Sequence, residues 1–492
     1  MNLRSLLKAY EPLSVSGSLD RPVETVVSDS RLACAGAVFV AIRGGQEQDR
    51  HAFVEDAVAR GAEAIIVEDA RSEALGATCI VVNDSRRALA RLSARIHGDP
   101  AKDLLCVGVT GTNGKSTTAS IISRVLHSDA EPSAYLGTLG FQCGGQIEPI
   151  PNTTPEAGQL QALLARARDA GCRYMSMEVS SHGLSLDRVF GIDFAAAVFT
   201  NLTRDHLDFH GSEEAYFAAK ARLFADLDPT AAAVLNADDS RSRELQKLTQ
   251  ARVWTFGLAG ADVRLQNTEF EPHQTRLTMH TPNGEFKVKT ALTGRFNCSN
   301  VVAAVTVGFA LGLDPDAIRN GVAAVTHVPG RFERIEAGQP FQVIVDYAHT
   351  PAGLETVLQT SRELTTRQLV CVFGCGGDRD VGKRPMMGRI AEALADRIYL
   401  TSDNPRSEPP RQIIDQIAGG MQSTAAVVIE PDRSVAIAAA VQSAKAGDVV
   451  LLAGKGDEPY QILDGGRIIP FDDRQVAREA LSKSPLNEQM CN

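Results

Sequence analysis

The residues whose types and spacing best suit chemistry form one Gly-rich stretch: Thr110, Gly111, Thr112, Asn113, Gly114, Lys115, Ser116 and Thr117. An apolar run, Leu104–Val109, precedes it and predicts a buried strand, while apolar residues at helical spacing follow it. A turn between a strand and a helix N-terminus presents backbone N–H groups to an anion. The Lys115 ammonium could meet the outer phosphates of a nucleotide, and the Ser116 hydroxyl could reach Mg²⁺. The stretch therefore predicts a nucleotide-phosphate site, in a compact form with Val109 where the usual pattern has its first glycine.

Three further side chains could serve the same chemistry. Glu178 and His206 each follow or end a predicted strand, and they could supply oxygen and nitrogen ligands to Mg²⁺ beside a nucleotide. Lys220 lies in a helix-like run from Tyr216 to Phe224, and that pattern alone is typical of a solvated lysine on a helix.

Composition limits the class of protein. The chain has 492 residues, a formal net charge of −10 and an isoelectric point near 5.6. An acidic balance argues against a protein held on nucleic acid by phosphate contacts, although a local basic pocket could still bind a small anion. No apolar run approaches the roughly 20 residues that span a bilayer. The charged N-terminal residues lack a signal-peptide core, and the nine cysteines form no Cys-x-x-Cys pair, so we expect a cytoplasmic protein with reduced thiols.

The elements that must position these residues alternate along the chain. Turn-forming residues at 98–100 and 329–331 divide it into residues 1–100, 101–331 and 332–492. Each part alternates apolar runs with helical patterns, which predicts an α/β fold with three domains and mostly parallel sheets. A β-rich excursion, Val253–Leu292, predicts an inserted antiparallel hairpin or small sheet.

Polar clusters follow strand after strand. Beyond the Gly-rich stretch they are Glu178–Gly183, Asn201–Asp208, Asp346–Pro351, Gly374–Asp380, Asp403–Arg406 and Gly454–Glu458. Ligands of open α/β sheets bind beyond the carboxyl ends of the strands. Acids, imidazoles and guanidinium groups at nearly every such end predict two active-site rims facing each other across an interdomain cleft.

These clusters, in this order and over essentially the whole length, resemble the Mur ligase family of peptidoglycan assembly. The matching segments are GTNGKST, NTTP from Asn152, EVSSHGL, NLTRDHLDFHG, the lysine helix, DYAHTP, GCGGDRD, DNPR and GKGDE. They look like the family in the form that adds the third amino acid. The resemblance implies a small N-terminal α/β domain for the uridine nucleotide, a central P-loop-type ATPase domain and a C-terminal Rossmann-like domain for the amino acid.

The resemblance also implies a reaction. ATP would phosphorylate the γ-carboxylate of D-Glu in UDP-MurNAc-L-Ala-D-Glu, and the amine of meso-diaminopimelate would displace the phosphate to form an amide. Lys115, Glu178, His206 and Lys220 would be catalytic. Mg²⁺ would be held by Ser116, Glu178, His206 and Lys220, the last carbamylated by CO₂ to N6-carboxylysine. A monomer that closes its last domain over the nucleotide is expected.

The implied binding residues fall into three sets. The precursor would contact Ser28, Ser30, Gly45, Gln46, Asn152, Thr153, Thr154, Ser180, Leu186 and Arg188. ATP would contact the Gly-rich stretch together with Asn300, Arg331, Asp346 and His349. The amino acid would contact Arg379, Asp403, Asn404, Pro405, Arg406, Gly454 and Glu458. The chain departs from other members at Gly45 (His in some), Leu186 (Gln in some) and Asp457, where the family's GKGHE reads GKGDE.

Alternatives remain for the amino acid and for the reaction. Arg406 offers a planar partner for the distal carboxylate of diaminopimelate, whereas relatives that add L-lysine commonly differ there. Folylpolyglutamate synthetase shares the compact phosphate loop and an acyl-phosphate intermediate. A nucleotide-dependent switch or binding module would need the loop but not an amino-acid pocket.

Overall fold

The computed structural model of the protein describes residues 1–44, 49–69, 76–145, 147–271 and 274–483. Within those ranges the strands form sheets of five, ten and six strands and a separate two-stranded hairpin. The sheets follow one another along the chain, and most neighbouring strands in them are parallel. The predicted α/β class is confirmed. None of the helices in these ranges is long and apolar enough to cross a bilayer.

The first sheet has the order β1-β5-β4-β3-β2, with β1 antiparallel to its neighbour. Its strands are β1 (Ser14–Ser16), β2 (Thr25–Val27), β3 (Ala37–Val40), β4 (Ala64–Val67) and β5 (Thr78–Val81). Its helices are α1 (Leu3–Leu6), α2 (Val54–Ala59) and α3 (Ser85–Ile96). Strands β3 and β4 are buried throughout, because helices cover both faces of the parallel sheet.

The second sheet has the order β15-β14-β13-β12-β11-β10-β6-β9-β7-β8. Its strands are β6 (Leu105–Thr110), β7 (Ser133–Gly137), β8 (Gly140–Cys143), β9 (Tyr174–Glu178), β10 (Phe194–Phe199), β11 (Ala232–Asn236), β12 (Arg252–Gly257), β13 (Val263–Phe270), β14 (Thr275–Thr281) and β15 (Gly284–Thr290). Strands β13, β14 and β15 pair antiparallel, as predicted for the β-rich excursion. They extend the central sheet, because β13 also pairs with β12.

The helices of this part cover the sheet, and the first of them begins within the Gly-rich stretch 110–117, which we call the phosphate loop. They are α4 (Lys115–Val125), α5 (Ala157–Asp169), α6 (Ser181–Ser185), α7 (Leu207–His210), α8 (Glu213–Ala225), α9 (Ser242–Leu248), α10 (Arg295–Ala310) and α11 (Pro315–Ala323). Helix α10 is buried along most of its length and packs against α4. A helix that is apolar on nearly all sides is typical of the centre of a domain.

The third sheet has the order β16-β17-β21-β18-β19-β20. Its strands are β16 (Glu333–Arg334), β17 (Gln342–Asp346), β18 (Leu369–Phe373), β19 (Arg397–Leu400), β20 (Val427–Ile429) and β21 (Val449–Ala453), and the hairpin is β22 (Tyr460–Ile462) with β23 (Ile468–Pro470). Its helices are α12 (Pro351–Leu364), α13 (Lys383–Leu394), α14 (Pro410–Ala418), α15 (Arg433–Ser443) and α16 (Asp473–Ser482). The predicted strand–helix alternation of the last third is therefore confirmed.

A buried ion pair fixes two of the loops at the carboxyl ends of these strands. Arg433 at the start of α15 donates from Nε and Nη2 to the Asp473 carboxylate at the start of α16, both at 2.7 Å. Neither side chain is exposed. The same guanidinium donates to the carbonyl oxygens of Ser402 and Ala453, which follow β19 and end β21. One arginine thus joins two helices to the backbone that precedes two functional clusters.

Replacing Arg433 with methionine should lower the free energy of unfolding by about 3–5 kcal/mol, because the Asp473 carboxylate would stay buried without its partner. Urea denaturation followed by circular dichroism measures the change. The matched control is Arg411→Met, since Arg411 pairs with Asp415 on the exposed face of α14 and exposed pairs contribute little. Equal unfolding of R433M and the unmodified protein would contradict the argument.

Candidate active site

A single cavity of about 1350 Å³ lies between the second and third sheets. One wall is built by the loops after β6, β9 and β10, which are neighbouring parallel strands of the second sheet. The opposite wall is built by the loops after β17, β18, β19 and β21 of the third sheet. The two facing rims predicted from the strand-end clusters are present, because parallel neighbours bring their carboxyl ends to the same edge.

The phosphate loop forms the first wall. Residues 112–117 line the cavity, whereas Thr110 and Gly111 are buried and are not part of this lining. Gly114 caps α4 with a φ of 84°, and a Cβ atom there would lie 2.5 Å from Asn300 Oδ1. Asn201 holds the loop, because its backbone oxygen and its Oδ1 accept from the N–H groups of Thr112 and Asn113, both at 2.9 Å.

Two lysines converge on this loop. Lys115 Nζ donates to the carbonyl oxygens of Gly111 at 3.1 Å and Thr112 at 2.8 Å. Lys220 Nζ donates to the same Gly111 oxygen at 2.8 Å and lies 4.4 Å from the centre of the Tyr216 ring.

Lys220 is not the solvated helix lysine that its local pattern indicates. Its side chain is 1% exposed, because α8 is buried on the face that carries Lys220 as well as on the face that carries its aromatic residues. Burial lowers the pKa of Lys115, and burial together with repulsion from Lys115 lowers the pKa of Lys220 well below its ordinary value. The Lys220 side chain therefore has access to its neutral amine form.

Glu178 ends β9 with a fully buried carboxylate that lines the cavity. Its Oε1 accepts from the Tyr135 hydroxyl at 2.7 Å and from the Thr138 N–H at 2.8 Å, and its Oε2 accepts from Thr138 Oγ1 at 3.2 Å. A Cβ atom on Gly137 would lie 2.2 Å from Oε1, so only glycine fits there. Sequence reasoning missed Tyr135 and Thr138, because strand β7 that carries them toward β9 was not identified.

His206 lies just before α7 in the left-handed region, with a φ of 52°. Its ring contacts that of His182 edge to face, with 4.8 Å between centroids, and its Nε2 lies 3.4 Å from Asp205 Oδ2. Burial lowers the pKa of His206 to about 4, against the opposing effect of Asp205. The imidazole is therefore neutral near pH 7 and has a lone pair for a metal ion.

The donors around the phosphate loop fit a magnesium ion bound mainly through phosphate and water. In the described part of the chain, no three His, Cys, Asp or Glu side chains meet in a metal-binding group. Mg²⁺ at nucleotide sites commonly takes only one or two protein ligands and keeps several waters. The Ser116 hydroxyl, the Glu178 carboxylate and the neutral His206 ring all line the cavity and are suitable donors.

The residues predicted for ATP border both walls. Asn300 on α10 accepts from Thr118 Oγ1 at 3.2 Å, and Arg331 Nη2 donates to Ser116 Oγ at 3.3 Å. Asp346 accepts from two backbone N–H groups, and burial raises its pKa to about 6. His349 Nδ1 lies 2.8 Å from the Tyr347 carbonyl oxygen, and burial lowers its pKa.

The residues predicted for the precursor divide between two places. Asn152, Thr153, Thr154, Ser180, Leu186 and Arg188 all line the cavity. Arg188 donates to the Thr154 carbonyl oxygen at 2.9 Å and pairs with Glu156 at 2.6 Å. Ser28 and Ser30 lie beyond β2 of the first sheet, outside this lining. Gly45 and Gln46 lie outside the described residues.

The residues predicted for the amino acid form the second wall, except that Pro405 lies outside the lining. Arg406 has a φ of 53° and donates from Nη1 to the carbonyl oxygens of Gly377 at 2.9 Å and Asn404 at 3.4 Å. Within the described ranges its Nε and Nη2 have no protein acceptor. These two N–H-bearing atoms are therefore available to a carboxylate of a bound molecule.

A buried lysine that sequence reasoning missed organises this wall. Lys455 is unexposed and donates to Glu458 Oε2 at 2.8 Å and to Asn404 Oδ1 at 3.1 Å. Asn404 in turn donates to the same Glu458 oxygen at 2.8 Å. Lys455 stands inside the GKGDE segment, so the signal was present. Arg379 and Gly454 complete the wall, and Gly454 has a φ of 116° beside Asp403.

Comparison with known proteins agrees with this geometry. The Mur ligase middle domain matches residues 109–308, and the Mur ligase glutamate ligase domain matches residues 330–456. A protein of Thermosynechococcus vestitus named UDP-N-acetylmuramoyl-L-alanyl-D-glutamate--2,6-diaminopimelate ligase is 44% identical, over 99% of each chain. A solved structure with the same name is 35% identical, covers 98% of this chain and 99% of its own, and has a TM-score of 0.70.

A folylpolyglutamate synthase of Mycobacterium tuberculosis, complexed with ADP and AMPPCP, is similar in fold alone. It is 21% identical, covers 74% of this chain and 91% of its own, and has a TM-score of 0.61. Two Mur ligase domains match in order, and a Mur-type relative aligns over nearly the full length. The chain belongs to the Mur ligase family.

Proposed function

We propose that this protein is an ATP-dependent ligase that joins meso-2,6-diaminopimelate to the γ-carboxylate of D-Glu in UDP-MurNAc-L-Ala-D-Glu. ADP and phosphate would be released. The named relatives support this substrate pair. The observation that carries the proposal is the single cavity that contains the phosphate loop on one wall and Arg406 on the other.

The first chemical step brings together two anions, the ATP phosphates and the D-Glu carboxylate. The carboxylate oxygen would form a bond to the γ-phosphorus while the bond between that phosphorus and the β,γ-bridging oxygen breaks. The Lys115 ammonium and the Arg331 guanidinium lie at the phosphate loop and would offset the negative charge. Bound Mg²⁺, held by Ser116, Glu178 and His206, would supply further charge neutralisation.

In the second step the amine of the incoming amino acid would attack the acyl carbon. A tetrahedral species would then expel phosphate, and the amine would lose a proton as the amide forms. The cavity joins the phosphate loop and the amino-acid wall without an intervening layer of protein, so both substrates can meet there.

We further propose that Lys220 is carbamylated. The neutral amine would attack the carbon of CO₂, an N–C bond would form, electrons would move onto oxygen, and one proton would leave the nitrogen to water. The lowered pKa of Lys220, caused by burial and by Lys115, supports this reaction. The product would place an anion suited to Mg²⁺ beside Lys115.

Arg406 would select the amino acid. Its Nε and Nη2 face no protein acceptor in the described ranges and could bind the distal carboxylate of diaminopimelate through two hydrogen bonds. L-Lysine has no such carboxylate and would leave the guanidinium unpaired. By the nature of its substrates, we place the enzyme in the cytoplasm, and we expect it to act as a monomer.

Phosphate release by the purified protein with ATP, Mg²⁺ and UDP-MurNAc-L-Ala-D-Glu tests the function. Release should require meso-diaminopimelate and should be much slower with L-lysine. Equal rates with the two amino acids would refute the role of Arg406. Release with a folate substrate alone would instead assign the protein to the folylpolyglutamate reaction.

Replacing Arg406 with methionine should lower kcat/KM for meso-diaminopimelate by about ten- to a hundredfold, because a charged hydrogen-bonding partner is lost. The rate with L-lysine should not fall. Steady-state kinetics with both amino acids measures the difference, and Arg411→Met on the exposed face of α14 is the control. Equal losses with both amino acids would point to general damage of the pocket.

Replacing Lys220 with alanine should abolish activity, and added bicarbonate should not restore it. In ¹³C-bicarbonate the unmodified protein should show a carbamate carbon resonance that Lys220→Ala lacks. Lys102→Ala should retain the resonance, since that side chain is 72% exposed beside Asp99. Near-normal turnover of K220A, or a resonance that survives in it, would refute the carbamate.

A further inference from the structure

Arg331 links the two walls of the cavity. Its side chain is 12% exposed and its guanidinium lies 4.4 Å from the centre of the Tyr347 ring. Nη2 donates to Ser116 Oγ on the phosphate loop at 3.3 Å. Nη1 donates to Asp457 Oδ1 at 2.9 Å and to the Gly330 carbonyl oxygen at 3.2 Å. One terminal nitrogen of the guanidinium thus bonds to the phosphate loop, and the other bonds to the opposite wall of the cavity.

The backbone around Asp457 is fixed by contacts that do not use the Arg331 side chain. Gly330 has a φ of 62° and Gly456 a φ of 55°, and a Cβ atom on Gly330 would lie 2.1 Å from the Asp457 nitrogen. The two loops therefore meet backbone to backbone. Arg474 on α16 donates to the Asp457 carbonyl oxygen at 3.5 Å and lies 3.8 Å from Glu333, which accepts from the Gly330 N–H at 2.8 Å.

We propose that Asp457 is a positioning residue that orients Arg331 toward the nucleotide phosphates. The inference rests on the proposed function. A phosphate bound beside Ser116 can be met by Nη2 while Nη1 keeps its bonds to Asp457 and Gly330. Because Asp457 belongs to a loop held by Arg474 and by the glycine contact, the carboxylate directs the arginine.

The residue type at this position gives the proposal its specific content. Position 457 in the GKGDE segment is an aspartate, so a carboxylate meets Arg331 there. A carboxylate forms a charged hydrogen bond with arginine, which is shorter and stronger than a neutral one. This chain therefore fixes Arg331 through a pair that links the phosphate loop to the segment carrying Glu458.

The opposite role, in which Asp457 competes with phosphate for Arg331, makes a different prediction. A competitor would have to release the guanidinium before the phosphate binds, and its removal would improve the use of ATP. The separate engagement of Nη1 and Nη2 favours positioning.

Asp457→Asn tests the proposal, because it keeps the shape of the side chain and removes its charge. We expect kcat to fall about ten- to a hundredfold, as for a small misplacement of a group at the reacting centre. The KM for meso-diaminopimelate and the calorimetric affinity for ADP should stay within about threefold. Asp457→Glu should recover part of kcat. Asp464→Asn, on an exposed turn, is the matched control and should behave as the unmodified protein.

A double-mutant cycle with Arg331→Lys separates positioning from general damage. If Asp457 acts through Arg331, D457N should have little further effect on kcat in the R331K background. Independent, additive losses would overturn the proposal, as would unchanged or increased kcat in D457N. Thermal unfolding of every variant identifies any that fail to fold, and for these D457E supplies the comparison. An unmodified protein that releases no phosphate would refute the proposed function itself.

Discussion

The side-chain nitrogens of Lys115 and Lys220 donate to one carbonyl oxygen of Gly111. Two ammonium groups that share one acceptor would repel each other, and the loss of a proton or the arrival of an anion relieves that repulsion. Burial lowers the pKa of both side chains, and repulsion from Lys115 lowers the pKa of Lys220 further. Much of the cavity can be understood as the means of bringing anions to this point and of holding their counter-groups in place.

The sheets supply that placement through topology. Strands β6, β9 and β10 are adjacent and parallel, so the phosphate loop, Glu178 and the turn containing His206 emerge together at one edge. The third sheet does the same for Asp346, Asn404 and the segment around Lys455. Hydrogen bonds from neighbouring residues then fix individual side chains: Thr138 and Tyr135 orient the Glu178 carboxylate, and Asn404 orients the Glu458 carboxylate. Many of these supporting side chains are buried, which keeps their geometry constant.

The sequence was sufficient for the α/β class and for the convergence of polar loops at strand ends, because those follow from local apolar periodicity and from the behaviour of parallel sheets. It was insufficient for Lys220, since a lysine beside alanines and aromatics has the same local pattern whether its helix is covered or solvated. Partners distant along the chain were also out of reach. Arg331 and Asp457 are 126 residues apart, and only the packed loops bring them together. For β13–β15, local alternation identified the strands but not the sheet that they join.

The contact between Gly330 and Gly456 has a consequence for modularity. The two loops touch through backbone atoms, with no side chain between them. This contact therefore fixes the distance between the phosphate wall and the amino-acid wall of the cavity. A C-terminal third taken from a relative would bring its own loop, and that loop would set a different distance between the two walls. Exchange of whole segments between relatives would therefore succeed only when both loops, with their glycines and their lengths, are taken from the same protein.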